Sequence, residues 1–387
     1  MNKPTVLIIG AGFTGVATAY DLALRGFAVT VVERGELVSG TSGRTHGLLH
    51  SGGRYCVNDR ESAIECIEEN TILRKIASQC IEPNGGYFIG LNDSDVEYSQ
   101  KFLEGAAACG IPTKEISASD LLKVEPQINP KVIKAYSVPD GTFEPLRLAF
   151  AFAASAQKYG AKFFPYHEVE EIVLDNSKKV TGIKTWNRTN NTKVNFEADM
   201  VINATGAWAG KIAKMANIHV PVKPTPGIMV TVAKRLTNTT INRLNIPDDG
   251  DIVLPQRRMA VIGTTSFEIE DVDYIPINEE QIQMMVDRGS ELLPEIKNTP
   301  FRGVFMSSRP LIGAGMEARS IARTFKCYDH EESDKVGGLI SIIGGKATTS
   351  RGMAEKTADL VCKKFGLSIE CQTKNQPLVS YRKYYQQ

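Results

Sequence analysis

Residues 45–55 read Thr-His-Gly-Leu-Leu-His-Ser-Gly-Gly-Arg-Tyr. Two imidazoles (His46 and His50), a guanidinium (Arg54) and a phenol (Tyr55) stand there among Gly47, Gly52 and Gly53. An imidazole titrates near neutral pH and can take or give a proton. A guanidinium presents a planar fork of N–H donors to an anion. Glycine, lacking Cβ, lets backbone come close to a flat ligand. Together these groups suit a redox site that handles an anionic substrate. His50 is the candidate proton acceptor or substrate orienter; the competing reading is a core histidine satisfied by a carbonyl. Arg54 and Arg309 are candidates for an anion clamp, with a surface or interdomain salt bridge as the competing reading. Arg323 is a weaker third. Thr264 and Thr265 follow an apolar run, and strand alternation turns one of them inward without saying which. Lys346 follows Gly344-Gly345 where a helix is expected to open, a position unfavourable to a cation unless an anion binds beside it. His167, His219 and His330 have no such context and read as structural.

The elements that must position these groups begin upstream. Residues 5–9 are a short apolar run suited to a buried parallel strand. Gly10-Ala11-Gly12-Phe13-Thr14-Gly15 follows, then a helical stretch over residues 16–25, Gly26, a second apolar run over 28–32, and Glu33. This is the order of a dinucleotide fingerprint. Gly10 serves the tight turn, Gly12 the approach of a pyrophosphate, and Gly15 close helix packing. The helix N-terminus offers N–H groups to phosphate. Glu33 can accept from ribose hydroxyls and would repel a 2′-phosphate. A glycine pattern alone does not separate FAD from NAD. Two later segments do: residues 199–206, a strand running into Asn203-Ala-Thr-Gly206, and residues 337–345, a strand ending at Gly-Gly-Lys before a helix expected over 347–365. A cofactor domain built from the start, middle and end of the chain suits an extended FAD.

These words, with Val138-Pro-Asp-Gly-Thr142, Ile262-Gly-Thr-Thr265 and Ser308-Arg-Pro-Leu311, run in order along most of the chain. In that succession the sequence resembles FAD-dependent glycerol-3-phosphate dehydrogenases, in particular the catalytic subunit of the anaerobic bacterial type, within the glycine oxidase/D-amino-acid oxidase-like flavoproteins. The resemblance implies FAD as cofactor and oxidation of sn-glycerol 3-phosphate to dihydroxyacetone phosphate, with the C2 hydride passing to flavin N5. It implies a catalytic group of His50, Arg54, Tyr55, Thr264, Arg309 and Lys346, with Lys346 near N1–C2=O of the flavin. It implies a cofactor group of Gly10, Gly12, Phe13, Thr14, Gly15, Glu33, Arg34, Thr41, Ser42, Thr45, His46, Gly47, Leu48, Val169, Ala204, Thr205, Gly206, Gly345, Lys346, Ala347 and Thr348. Electrons would pass to a quinone or to electron-transfer partner subunits. Two features depart from the family: Thr348-Thr349-Ser350-Arg351 lacks the tyrosine usual before the arginine, and the chain stops at Gln387 without a cysteine-rich extension. Two other functions remain open on the same residues. One is an FAD-dependent dehydrogenase or oxidase of another phosphorylated polyol, a hydroxy acid or an amino acid. The other is a non-catalytic flavoprotein.

The fold expected is α/β: an FAD-binding Rossmann-like domain of the glutathione-reductase type, with a substrate domain of antiparallel β-sheet plus helices. The cofactor domain is expected to be discontinuous, over residues 1–82, 144–215 and 335–370. The substrate domain would take 83–143 and 216–334, and 371–387 would form a C-terminal tail. A long helix is expected over 61–80, another over 143–159, and a covering helix over 278–293. At 387 residues the chain can bury two sizeable cores. Its net charge of +1 gives no case for nucleic acid. No apolar run reaches the ~20 residues of a membrane span, and no apolar leader precedes the first strand. A cytoplasmic protein is expected, with peripheral contact at the inner face of the cell membrane left open. The seven dispersed cysteines contain no Cys-x-x-Cys and are expected to be reduced packing residues, with no metal bound.

Overall fold

The computed structural model describes residues 3–313 and 324–386. Its first strand, Thr5–Ile9, lies inside a six-stranded sheet. The order across that sheet is Phe325–Asp329, Leu339–Gly344, Met200–Asn203, Thr5–Ile9, Ala28–Val32, Lys162–Phe164. All neighbours are parallel except the edge pair Phe325–Asp329 and Leu339–Gly344. The strands are Val/Ile-rich because both faces are covered, as in parallel sheets generally. On one face lie helices Phe13–Leu24, Pro145–Lys158 and Ser350–Lys364, whose Val16, Tyr20, Phe152 and Ala358 pack with Val6, Ile8 and Ile202. On the other lie helix Ala209–Lys214 and an antiparallel sheet of His167–Leu174, Val180–Asn187 and Thr192–Glu197.

The second large sheet has eight strands: Phe301–Ile312, Val222–Val232, Met259–Gly263, Ile252–Gln256, Thr240–Arg243, Gly86–Gly90, Lys134–Val138 and Lys114–Ile116, in that order. Helix Glu279–Leu292 covers it, capped by Asn278, whose side chain accepts from the Gln281 N–H. Met285 and Leu292 of that helix pack on Ile228, Val230 and Ile262. The sheet is not wholly antiparallel as expected: Thr240–Arg243 and Gly86–Gly90 pair in parallel. They are distant in sequence, so no hairpin constrains their direction.

Helix boundaries also differ from the sequence reading. Helix Arg60–Ile76 stops before Cys80, which lies in the short 3-10 turn Ser78–Cys80. The helix expected from residue 143 begins at Pro145, because residues 141–143 are taken into a small sheet with Leu48–Leu49 and Ile81–Glu82. That sheet ties the segment carrying His46 and His50 to both larger units. All seven cysteines are unpaired, and five of them are buried. Residues 373–386 are docked: Leu378 donates to the Ile76 carbonyl, and Tyr384 and Tyr385 pack on Phe150.

Gly15 tests how tightly the first helix is seated. A Cβ there would lie 1.9 Å from the Gly10 carbonyl oxygen. Gly15→Ala should lower stability by about 1–3 kcal/mol, the usual range for forced overpacking. A urea midpoint equal to that of the parent would show that the helix can shift freely.

Candidate active site

The C-terminal ends of the parallel strands open onto one cavity of about 1640 Å³. A single small-molecule pocket has roughly 300–1,000 Å³, so this one has room for an extended cofactor together with a substrate. Strand C-termini are where open α/β sheets bind ligands.

At one end the backbone forms a cradle. Gly10 has φ +99°, and a Cβ on it would stand 2.8 Å from the Ala204 carbonyl oxygen. Gly12, Phe13 and Thr14 line the cavity at the start of helix Phe13–Leu24. Ser42 Oγ accepts the Phe13 N–H at 3.0 Å and satisfies one donor of that helix end. Glu33 also lines the cavity; its carboxylate accepts from the Ala11 N–H at 2.9 Å and the Gly35 N–H at 3.0 Å. These bonds fix it between the glycine turn and the second strand, and each oxygen keeps a second lone pair for a hydroxyl. Thr41, Thr45, Leu48, Val169, Ala204, Thr205, Gly206, Gly345 and Ala347 line the same space. This set of glycines, helix N-terminus and strand-end carboxylate fits a dinucleotide.

Gly15 and Gly47 do not line the cavity, and their requirement is packing. At Gly47, φ is +80° and a Cβ would meet Gln256 Nε2 and the Phe143 carbonyl. Arg34 reaches the cavity, but its Nη1 bonds Asp273 at 3.0 Å and its guanidinium lies over Trp208. Thr348 lines the cavity with its hydroxyl committed to the His50 N–H at 3.1 Å and the Leu48 carbonyl at 3.3 Å.

At the other end the cavity gathers His46, His50, Arg54, Tyr55, Thr264, Arg309 and Lys346. The His50 ring centre is 5.3 Å from that of Tyr55 and 6.1 Å from that of His46. Lys346 Nζ lies 4.6 Å from the Tyr55 ring centre. His46 Nδ1 accepts from the Leu48 N–H at 3.1 Å, which leaves its proton on Nε2 when the ring is neutral. Of the two threonines, Thr264 faces the cavity; Thr265 is buried, and its hydroxyl accepts the Ile228 N–H. Arg309 Nη2 donates to the Thr265 carbonyl at 2.7 Å and the Pro226 carbonyl at 3.0 Å. Gly227 makes the room: a Cβ there would lie 2.3 Å from Thr264 Oγ1 and 3.1 Å from Arg309 Nη2.

Arg54 meets both of its readings at once, and the expectation for Lys346 needs correction. Arg54 lines the cavity but also makes the salt bridge offered as the competing reading, with Nη2 at 2.6 Å from Asp251 Oδ1. Lys346 is not at a helix start. It lies in a turn closed by Thr349, and the helix begins at Ser350, so its proposed clash with the helix dipole lapses. His167, read as structural, lines the cavity near Val169, although its ring is engaged by the Pro165 carbonyl and the Asn187 amide. Arg323 lies outside the described residues. Sequence reasoning missed Trp208, Lys211 and Asp273. Burial pushes the Asp273 carboxyl up, but hydrogen bonds from Lys211, Trp208 and Arg34 outweigh it and hold it at about 2. No local pattern marks these three, because they meet only in space. Gly227 and Met229 also line the cavity, and period-2 alternation from one would have found the other.

The histidines are held neutral. Burial, then Arg54 and Arg309, pull His46 down to about 3. Burial, then His46, Lys346 and Arg54, pull His50 well below the ordinary imidazole value. Among the described residues no cluster of His, Cys, Asp and Glu could hold a metal, and no helix is long and apolar enough to cross a membrane.

Residues 5–360 match the FAD dependent oxidoreductase family, and the chain belongs to it. Within that family it groups with the anaerobic-type glycerol-3-phosphate dehydrogenases. It is 41% identical over 390 residues to the A1 subunit of the anaerobic glycerol-3-phosphate dehydrogenase of Haloferax volcanii, covering 97% of this chain and 66% of the relative. It is 39% identical over 377 residues to the corresponding subunit of the Haemophilus influenzae anaerobic enzyme, covering 96% and 67%. The chain thus spans about two thirds of the length of these relatives. The structure of the FAD-bound L-alpha-glycerophosphate oxidase from Mycoplasma pneumoniae superposes with a TM-score of 0.77, covering 98% of this chain and 100% of that one, at 19% identity. The cofactor of the fold is FAD.

The neutral histidines make stability depend on pH with a definite sign. In the unfolded chain they protonate near pH 6.5, whereas in the folded protein they resist protonation to much lower pH. Between these limits the unfolded state binds more protons, so stability falls as pH falls, by at most about 1.4 kcal/mol per pH unit for each histidine. Urea midpoints of the parent and of His46→Gln/His50→Gln should therefore converge as pH drops from roughly 7.5 to 5. A constant gap would show that the two imidazoles titrate normally in the folded state.

Proposed function

We propose that this protein oxidises sn-glycerol 3-phosphate to dihydroxyacetone phosphate. The observation that carries the reading is the convergence of His50, Arg54, Tyr55, Thr264, Arg309 and Lys346 at one end of a cavity whose other end is a dinucleotide cradle. On this reading the fold is of the glutathione-reductase type. Residues 1–82, 144–215 and 335–370 form the cofactor domain, 83–143 and 216–334 the substrate domain, and 371–387 the tail.

The glycine turn, the N-terminus of helix Phe13–Leu24 and Glu33 would hold the diphosphate and ribose of FAD. FAD, when bound, supplies the two-electron acceptor for the hydride that leaves C2. The protein's part is position and electrostatics. Arg309 and Arg54 grip the phosphate. The Asp251 carboxylate offsets part of the Arg54 charge and keeps the guanidinium fixed. His50 is neutral at pH 7 and so has a lone pair for the C2 hydroxyl proton, which passes from oxygen to a ring nitrogen. A phosphate dianion beside Arg54 and Lys346 cancels part of the field that depresses His50, so the base strengthens when substrate is in place. Thr264 offers a hydroxyl next to the Arg309 guanidinium, and Lys346 places positive charge beside the redox centre. On the same reading electrons then leave to a quinone or to an electron-transfer partner, with peripheral contact at the inner face of the cell membrane; that the similar proteins are named as subunits accords with a partner.

An anaerobic titration with glycerol 3-phosphate should bleach the flavin absorbance of the purified protein. Bleaching only by a hydroxy acid or amino acid would move the substrate to a carboxylate, and no bleaching by any of them would leave a non-catalytic flavoprotein. Arg309→Ala should keep FAD and lower kcat/KM by roughly thirtyfold or more, since removing one partner of a buried charged contact costs about 2–5 kcal/mol.

In single-turnover experiments His50→Ala should slow flavin reduction by roughly 10²-fold or more, the scale of general-base catalysis. Reoxidation by a dye should stay near the parent rate. An unchanged reduction rate would exclude His50 as base.

A further inference from the structure

The Val138-Pro-Asp-Gly-Thr142 turn has so far only closed a small sheet, yet it buries a carboxylate behind the site. Asp140 is 2% exposed and does not reach the cavity. A Cβ on Gly86 would lie 2.8 Å from its Oδ2, so that glycine makes room for it. Asp140 Oδ1 accepts the Ser51 N–H at 2.7 Å, one residue after His50. Its Oδ2 accepts from Asn242 Nδ2 at 3.3 Å, and Asn242 Oδ1 accepts from Arg54 Nη1 at 3.4 Å.

We infer that Asp140 is a positioning residue that aims Arg54 at the substrate's phosphate through the amide of Asn242. The inference rests on the reading of Arg54 as an anion holder. Its logic is the donor and acceptor inventory. An ionised carboxylate only accepts, so it draws the NH2 of Asn242 toward itself. The Tyr87 carbonyl, 3.5 Å from Asn242 Nδ2, favours the same orientation. The amide oxygen is then left facing Arg54, whose guanidinium only donates. Asp251, on Arg54 Nη2, supplies the compensating charge. Asp251 therefore fixes Nη2 and supplies the countercharge, and Asp140, through Asn242, sets the direction of Nη1.

Asp140→Asn isolates this arm. The Ser51 N–H cannot turn, so the oxygen of the new amide must face it and its NH2 must face Asn242. Asn242 then either meets that donor with its own NH2, or turns over and presents the NH2 to Arg54. Both outcomes put two donors face to face. The Ser51 bond and the Asp251 pair survive, so FAD content should match the parent. The KM for glycerol 3-phosphate should rise about tenfold, the scale of one lost hydrogen bond to a charged group, with kcat nearly unchanged. Asn242→Asp alone sets carboxylate against carboxylate and should also raise KM. The double variant Asp140→Asn/Asn242→Asp exchanges the two groups, keeps net charge and size, and again offers an oxygen to Arg54; its KM should return close to the parent's.

The measurements are KM, kcat and FAD content of all four proteins, with the rise in melting temperature given by inorganic phosphate as a separate report of anion binding. Elevated KM in Asp140→Asn with recovery in the double variant supports the inference. A parent-like KM in Asp140→Asn, or a double variant no better than the single ones, overturns it while leaving the proposed function standing. A parent that neither reduces its flavin with glycerol 3-phosphate nor binds phosphate removes both.

Discussion

The parallel register of three strands is the constraint on which the rest depends. Val6 lies between Val29 and Met200, so Ile9, Val32 and Asn203 reach the same edge of the sheet together. There the backbone locks: Gly10 donates to the Val32 carbonyl at 2.8 Å and Ala204 to the Ile9 carbonyl at 2.9 Å. These groups are buried and must be paired, because an unmade hydrogen bond in the interior costs about 1–3 kcal/mol. A slip of one residue would also exchange the side chains that pack into the two cores on either face of the sheet. Glu33, Thr205 and the glycine turn are thereby placed around one opening. Only a residue without Cβ can occupy position 10 next to Ala204.

The other end of the cavity is built differently, by polar anchors behind a loop. Asn70 Nδ2 donates to the carbonyls of Leu49, His50 and Pro139, and Arg74 binds Asn70 and the carbonyls of Pro139 and Asp140. Helix Arg60–Ile76 thus holds both the His50 segment and the turn that carries Asp140. The same helix is fastened to helix Ser350–Lys364 by a buried pair between Glu69 and Arg351, which also binds Glu355. Such pairs contribute little net stability against apolar packing, but breaking one strands a buried charge and costs about 3–5 kcal/mol. Their effect here is geometric. Lys346 and Thr348 precede one helix, His50 and Arg54 precede the other, and the pair fixes the distance between them. Arg351 stands in the word where the family's usual tyrosine is missing, and its anchoring does not need that tyrosine.

Electrostatics then decides which groups can act. Arg54, Arg309 and Lys346 share one cavity end with two buried imidazoles. Burial first, and then these nearby cations, hold the imidazoles neutral, which suits a proton acceptor and disfavours a proton donor. The buried carboxylates sit one layer back, at Asp251 and Asp140, where they act on Arg54 without lining the cavity. Gly227 keeps that space open, since a Cβ there would press on Thr264 Oγ1 and Arg309 Nη2.

Much of this was legible in the chain before folding. Strands Thr5–Ile9 and Ala28–Val32, the glycine turn and Glu33 are a local pattern, because a buried parallel strand, a tight turn and a helix start each impose their own residue types within a few positions. Residues 200–206 and 337–345 each carry a local strand-to-turn pattern of the same kind, and the fold pairs them with the first strand's sheet. What sequence could not decide depended on partners far along the chain. Arg54 reads as an anion holder, with an ion pair as the competing reading, and only the fold brings Asp251 beside it. Thr264 and Thr265 differ only by which face of a strand meets the cavity. Lys346 loses its helix start because Thr349 closes a turn on it. The parallel pairing of Thr240–Arg243 with Gly86–Gly90, and the meeting of Arg34, Trp208 and Lys211 on Asp273, leave no local trace, because hydrogen bonds and charges act through space while sequence patterns record only neighbours along the chain.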